Sequence, residues 1–348
     1  MRRTLLLLVV LVFCCDFVAR PLSGVGSYRM AWYNVENLFD TIHQVGYDDH
    51  DYTPEGFRRW TGYKLYRKCE QLYRVLTALG EGDMPILVGL CEVENDTAMH
   101  RLLYRTPLWR SGYKYLITRG DDRRGINVAM LYQPAHIKVL SHCCHSVPRY
   151  RHRRPTRQWI EAKCLLYSGD TVHVLLAHLP SRMGGVVESE PYRMRVAQMI
   201  RARYDSLLSA DPSANVVLMG DFNDTPNDRS ITQGLRALPS DRGAPECAAL
   251  YNLAHPYAAL WGEGSNKYRA YWTTIDQCMV SGALLRRNVR VSVVSDTMCI
   301  YKHGLLVDDP THGGVRPKRT FYGAKWENGY SDHLPIYIDL RIDLGREY

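Results

Sequence analysis

The chain has 348 residues, 46% of them hydrophobic and 23% charged. That is globular composition; it excludes a collagenous, low-complexity or disordered chain, and the length permits a full core without covalent staples. Lys plus Arg number 44 against 36 Asp plus Glu, a formal charge of +8 that suits an anionic partner but is also an ordinary solubility charge at this size.

In chain order, the first segment reads as an address. Met1-Arg2-Arg3 precedes an apolar run from Leu5 to Cys15, and small residues follow at Ser23-Gly24. A basic start, a short apolar stretch and small residues describe a secretory signal peptide over residues 1–24. The run is too short to span a bilayer, which needs ~20 residues. Cys14 offers lipid attachment as a second route, which Phe13 just before it fits poorly. The expected location is therefore exported: periplasmic, secreted or lipid-anchored at an outer membrane. Cleavage removes three arginines and one aspartate, leaving +6. It also leaves eight cysteines, from Cys69 to Cys299. An even count permits disulfides, but Cys91, Cys164 and Cys278 sit inside apolar runs and read as buried thiols. No CxxC pair points to structural zinc.

Residues 25–348 read as one domain. Strands are predicted at Tyr28–Val35, Ile86–Val93, Tyr113–Thr118, Ile126–Tyr132, Ile137–His145, Trp159–Leu166, Thr171–Ala177, Val216–Met219, Thr274–Val280, Val289–Ser295 and Leu334–Ile342. Helical spacing joins Tyr66, Cys69, Tyr73, Leu76 and Leu79, stopped by Gly80. It also joins Met194, Ala197, Ile200, Tyr204 and Leu207, between Glu190 and Ala210. Many strands with few long helices predict an α/β (α+β) four-layer sandwich, two packed mixed sheets flanked by helices. Between two strands, His142–Arg157 carries Arg149, Arg151, Arg153, Arg154 and Arg157. It reads as a solvated loop or as a landing strip for phosphate.

Acids, amides and histidines gather at strand ends: Asn34 and Glu36 in WYNVEN, Glu92 after an apolar strand, His178 in AHLPSR, Asp221 and Asn223 in GDFND, Asp276 in TID, and Asp332 with His333 in YSDHLP. Each string alone is weak, since a capping Asp or a structural His accounts for it. The whole set in this order resembles the endonuclease/exonuclease/phosphatase superfamily, from about Tyr28 to Leu340. That superfamily includes pancreatic-type deoxyribonucleases, abasic-site repair nucleases, inositol-polyphosphate 5-phosphatases and bacterial sphingomyelinases. WYNVENLFD, GINVAMLY, AHLPSRMGG and GYSDHLPI look most like its exported bacterial members.

The resemblance implies a metal-dependent phosphodiester hydrolase. Glu92 is implied as the main metal ligand, with Glu36 and Asp332 completing the site directly or through water. Hard oxygen donors favour Mg²⁺ or Mn²⁺, with Ca²⁺ a further option. Asp276 and His333 resemble the family's Asp–His pair. Asp221 is implied to orient or deprotonate the attacking water, Asn223 and Asn34 to hydrogen-bond the phosphate, and His178 to contact phosphate or act as general acid. Arg182 reads as a phosphate clamp or a surface arginine. Among Asp121, Asp122, Arg123 and Arg124 a partner acid for the histidine is expected without assignment. The expected substrate is a phosphodiester, nucleic acid first, cut by a monomer without a stable protein partner. The alternatives are a phosphatase or phospholipid phosphodiesterase of the same superfamily, and an inactive binding member. Lys318-Arg319 would serve an inositol-phosphate enzyme, and an aromatic segment between Trp261 and Trp272 a lipid enzyme. The acids imply an acidic centre in a basic surround, the arginine loop foremost.

Overall fold

A computed structural model describes residues 24–150, 155–240, 244–260, 262–310 and 313–344. Residues 1–23 of the expected signal segment, Arg151, Arg153, Arg154 and Trp261 lie outside the described residues. Eight strands come first: β1 (Val25–Leu38), β2 (Leu87–Val93), β3 (Lys114–Ile117), β4 (Asn127–Tyr132), β5 (Ile137–His145), β6 (Trp159–Leu166), β7 (Thr171–His178) and β8 (Val216–Asp221). The later strands Asp276–Ser281 and Ile336–Asp343 complete the centres of two seven-stranded sheets. One runs Val291–Val293, Ile336–Asp343, β1, β2, β4, β3, with Cys299–Ile300 also paired to Ile336–Asp343; the other runs β5, β6, β7, β8, Asp276–Ser281, Leu250–Asn252, Leu238–Pro239.

Alternation of side chains builds the layers. Trp32, Cys91 and Met130 from the first sheet meet Ile160, Val174, Leu176 and Met219 from the second in one inter-sheet core. Their neighbours Tyr33, Leu90 and Leu131 point the other way, onto Leu72 and Leu76 of helix α1 (Gly62–Leu79) and Met99 of α2 (Asp96–Tyr104). Leu175 and Leu218 likewise back onto Val196, Ile200 and Tyr204 of α3 (Val186–Ala210). The order is helix, sheet, sheet, helix, the expected four-layer sandwich. Gly89 makes the inter-sheet contact feasible: a Cβ there would lie 2.6 Å from the Trp32 ring.

The boundaries differ from the sequence expectation in instructive places. Helix α3 begins at Val186 rather than Glu190, and Pro191 sits within it. In these first turns Ser189 Oγ donates to the carbonyl of Val186 at 3.2 Å and accepts from Arg193 at 2.7 Å. Strand β1 runs on to Leu38, and its pairing with β2 shifts register between Asn34 and Leu38. No helix among the described residues is long and apolar enough to cross a membrane. The described cysteines are all free thiols, with Cys91, Cys164 and Cys278 buried as expected.

Candidate active site

Strand direction brings the chemistry to one end of the sandwich. Parallel β1 and β2 carry Asn34, Glu36 and Glu92 at their C-terminal ends, and parallel β7 and β8 carry His178 and Asp221. The antiparallel strand beside β8 starts there with Asp276, so Asp221 has His178 as its register partner on one side and Asp276 on the other. His333 lies just before the last strand and bridges to Asn266. Glu36, Asn37, Glu92 and Asn223 all have positive φ (48°, 58°, 62° and 52°), conformations that a non-glycine residue holds only at a cost. The register shifts fall at the same places, between Asn34 and Leu38 and between Cys91 and Val93. These bulges re-aim the acids out of the alternating strand pattern.

Hydrogen bonds then cross from sheet to sheet. Asn34 Nδ2 donates to Asp221 Oδ2 at 3.0 Å, and Trp32 Nε1 donates to Asp276 Oδ1 at 3.1 Å. The other Asp276 oxygen accepts from Ser265 Oγ at 2.7 Å and meets His333 Nδ1 at 2.6 Å. His333 Nε2 is left facing Asp221 Oδ2 at 3.9 Å. Burial disfavours the imidazolium, but Asp276, then Asp221 and Asp332, hold its pKa well above the usual histidine value. Burial and the charge of Asp276 push Asp221 upward, against His333 and the Asn34 bond. Asn223 donates its backbone N–H to Asp221 Oδ1 at 2.9 Å and its amide to Leu179 O at 3.0 Å.

The acids form a second group beside this one. Arg319 spans Glu36 Oε1 (3.3 Å) and Asp332 Oδ2 (2.8 Å), while Thr320 N–H donates to Glu36 Oε2 at 2.6 Å. Glu92 accepts from Asn37 N–H at 3.1 Å and pairs with Arg124 at 3.5 Å. Burial, then the charge of Asp332, raises the Glu36 pKa. Buried Lys68 donates to Thr320 Oγ1 at 2.6 Å, and burial lowers its pKa to about 8 against the pull of Glu36, Asp332 and Glu92. Hard-oxygen donors gathered at one end of the sandwich are the donor type that a divalent cation takes.

Two tighter groups also occur among the described residues. Asp221–Asp276–His333 and Cys91–His178–Asp221 each bring ligand atoms within 4.8 Å of one another. In the first, Asp276 and His333 already bond each other; in the second, an arginine covers the histidine nitrogen. The Glu36–Glu92–Asp332 set is wider, a spacing that suits Mg²⁺, which keeps several of its waters.

Several residues stand differently from their sequence reading. Arg182 donates to Asn223 O (2.7 Å), Asp224 (3.0 Å) and Asp228 (2.6 Å), which ties down the loop after β8 and engages the guanidinium expected to clamp phosphate. Arg157, read as one of a solvated or rim-lining run, is buried. It donates to Asp122 Oδ2 at 3.0 Å, Leu179 O at 3.1 Å and His178 Nε2 at 2.6 Å. Asp122 is therefore the acid of its cluster that reaches the histidine, through Arg157. Burial first, then the charges of Arg157, Arg124 and His333, drives the His178 pKa well below its usual value. Arg319, read with Lys318 as a contact that an inositol-phosphate enzyme would use, sits between two site acids.

A sequence profile described as the endonuclease/exonuclease/phosphatase family matches residues 29–342. The chain belongs to that family. It is accordingly a hydrolase of phosphoester bonds, in a family whose chemistry depends on divalent metal. A search of curated proteins gives no match. Among solved structures, a Bacteroides thetaiotaomicron endonuclease/exonuclease/phosphatase family protein is 16% identical, with a TM-score of 0.57 over 92% of this chain and 99% of that one. D. rerio TDP2 complexed with a single-strand DNA product is 14% identical (TM-score 0.55, 90% and 98% covered). A B. thetaiotaomicron mannosyl-6-phosphatase is 16% identical (TM-score 0.53, 90% and 99% covered). At these identities the likeness is one of fold.

Proposed function

We propose that this family member is an exported nuclease that hydrolyses phosphodiester bonds of DNA or RNA by in-line attack of water. The observation that carries the reading is the setting of Asp221. Its carboxylate lies between His178 Nε2 (3.5 Å) and His333 Nε2 (3.9 Å) and accepts from Asn34. A buried carboxylate with a raised pKa is suited to orient a water and take its proton. His333, kept protonated by Asp276, presents Nε2–H to a non-bridging phosphate oxygen. Asn34 contributes a neutral amide beside the attacking water, and Arg157 keeps His178 in place. Glu36, Glu92 and Asp332 would hold Mg²⁺ or Mn²⁺, which neutralises a non-bridging oxygen and the leaving-group charge.

The test is a panel of plasmid DNA, RNA, mannose 6-phosphate, inositol phosphates, sphingomyelin and bis(4-nitrophenyl) phosphate with Mg²⁺, Mn²⁺ or Ca²⁺. The reading expects cleavage of nucleic acid and of the bis-ester, lost on chelation. Turnover of the monoesters alone would make the protein a phosphatase instead.

A further inference from the structure

Beside Asp332 opens a pocket of about 230 Å³ that the hydrolytic step does not use. Its walls include Lys267, Tyr268, Arg269, Arg316, Arg319 and Asp332. One wall is a short hairpin, Asn266–Tyr268 paired with Tyr271–Thr273, rooted in the active site. Ser265 bonds Asp276, Asn266 bridges to His333, and Asn266 Nδ2 donates to Asp332 O at 3.1 Å. Lys267 and its neighbours thus leave the catalytic centre directly into the pocket.

The charges there do not balance. Arg316 is paired with Asp309 and Glu327, and Arg319 with Glu36 and Asp332. Among the described residues Lys267 has no carboxylate partner; it donates to the carbonyl oxygens of Gly313 and Val315, at 2.5 and 2.9 Å, and lies 5.7 Å from the Trp272 ring centroid. Arg269 has no carboxylate partner among the described residues and lies 5.4 Å from the Tyr268 ring centroid. It stands at the hairpin tip with φ 57°, a left-handed conformation unusual for arginine. Tyr268 is 67% exposed, a large ring left on the surface. Two cations lacking counter-charge next to an exposed aromatic face match an anion joined to a planar ring.

We propose that this pocket is a subsite for the nucleotide unit adjoining the scissile phosphate, its phosphate held by Lys267 and Arg269 and its base stacked on Tyr268. The substrate then carries at least two phosphates and a base. The proposal rests on the nuclease reading and deepens it.

The experiment compares 4-nitrophenyl esters of a mononucleotide and a dinucleotide, which share the scissile bond and leaving group. It also measures binding of the unesterified dinucleotide in chelator, which needs no turnover. The wild type should favour the dinucleotide ester in kcat/KM. The Lys267→Gln/Arg269→Gln double variant should lose about tenfold of that preference and bind the dinucleotide about tenfold more weakly, the scale of one charge-assisted contact. Tyr268→Ala should lose a similar factor. A control removes two exposed lysines on distant edge strands, Lys114→Gln/Lys138→Gln. Equal dinucleotide binding by wild type and the pocket variant overturns the subsite, and so does an equal loss in the control, which would mean a diffuse field. Hydrolysis of neither ester with metal present counts against the nuclease reading, while the binding arm still decides the subsite.

Discussion

Arg157 holds its Nη2 at 2.6 Å from Nε2 of His178. A guanidinium is always a donor, so this nitrogen must accept, and the neutral ring carries its proton on Nδ1. Nδ1 has no hydrogen-bond partner among the described residues. His178 is therefore an acceptor in this state and cannot donate a proton through Nε2, which argues against the general-acid role that the family resemblance allowed. Arg157→Gln removes the cation and leaves Asp122 with the more distant Arg124 guanidinium at 3.9 Å. We expect kcat to fall about 10²-fold, as when one preorganised donor is lost. We also expect His178 to begin titrating nearer pH 6.5. Imidazole nitrogen NMR over pH 4–8 reads this directly; a His178 that already titrates near 6.5 in the wild type would contradict it.

Asp276 ties Trp32, Ser265 and His333 together. Its ion pair raises the folded-state pKa of His333, so this contribution to stability is fully present below pH 6.5 and declines as pH rises through the raised value. Asp276→Asn should lower kcat by about 10³–10⁴-fold, the scale seen when a carboxylate orienting a catalytic histidine is lost. The remaining activity should fall as pH passes about 7, because His333 would then lose its proton in the neutral range. A pH–rate profile with the same alkaline limb as the wild type would show that Asp276 does not hold the imidazolium.

Glu92→Gln and Asp332→Asn each remove a hard anionic donor. In the wild type, saturating Mg²⁺ or Mn²⁺ should raise Tm, because ligand binding to the native state alone stabilises it. Each variant should show a smaller rise and a loss of activity of at least about 10²-fold, with near-native circular dichroism. A full metal-induced rise in both variants would move the ion elsewhere, with Asp221 the next candidate.

Glu94 is buried under the site and accepts from Asp40 N–H and Gln44 Nε2. Burial, reinforced by the charges of Asp40 and Asp49, raises its pKa to about 8. Since the native state holds this proton more tightly than the unfolded chain, its stabilising effect is complete below about pH 4.5 and declines as pH rises to about 8. Glu94→Gln keeps the shape and removes the titration. The variant should match wild-type stability at pH 5 and exceed it at pH 8 by about 1 kcal/mol or more, one pKa unit being worth about 1.4 kcal/mol. Urea unfolding in chelator at both pH values measures this.

Much of the architecture and the site was legible because its causes are local. Apolar runs such as Val216–Met219 declare a strand buried on both faces, and the Gly-Asp-Phe-Asn that follows marks where that strand releases polar groups. The acids, amides and histidines at such ends could be named from their strings, and strand direction alone gathers them at one edge. What the strings do not encode is how charges pair across long stretches of chain. A run of arginines looks uniformly solvated, yet the fold turns Arg157 inward, because Asp122 arrives from the loop between β3 and β4 and His178 from the end of β7. Lys68, on a helix face that otherwise reads as amphipathic, is drawn under Glu36 and Asp332 by the packing of that helix on the sheet. Arg182, whose string suggested a phosphate clamp, is claimed by Asp224 and Asp228 of a neighbouring loop. Lys267 and Arg269 stand out only once Arg316 and Arg319, beside them, are seen to be paired. The sequence by itself determined which elements form and which acids their ends present, since propensity and alternation act within a few residues. Tertiary structure decided which cations meet those acids, since electrostatic pairing acts through space.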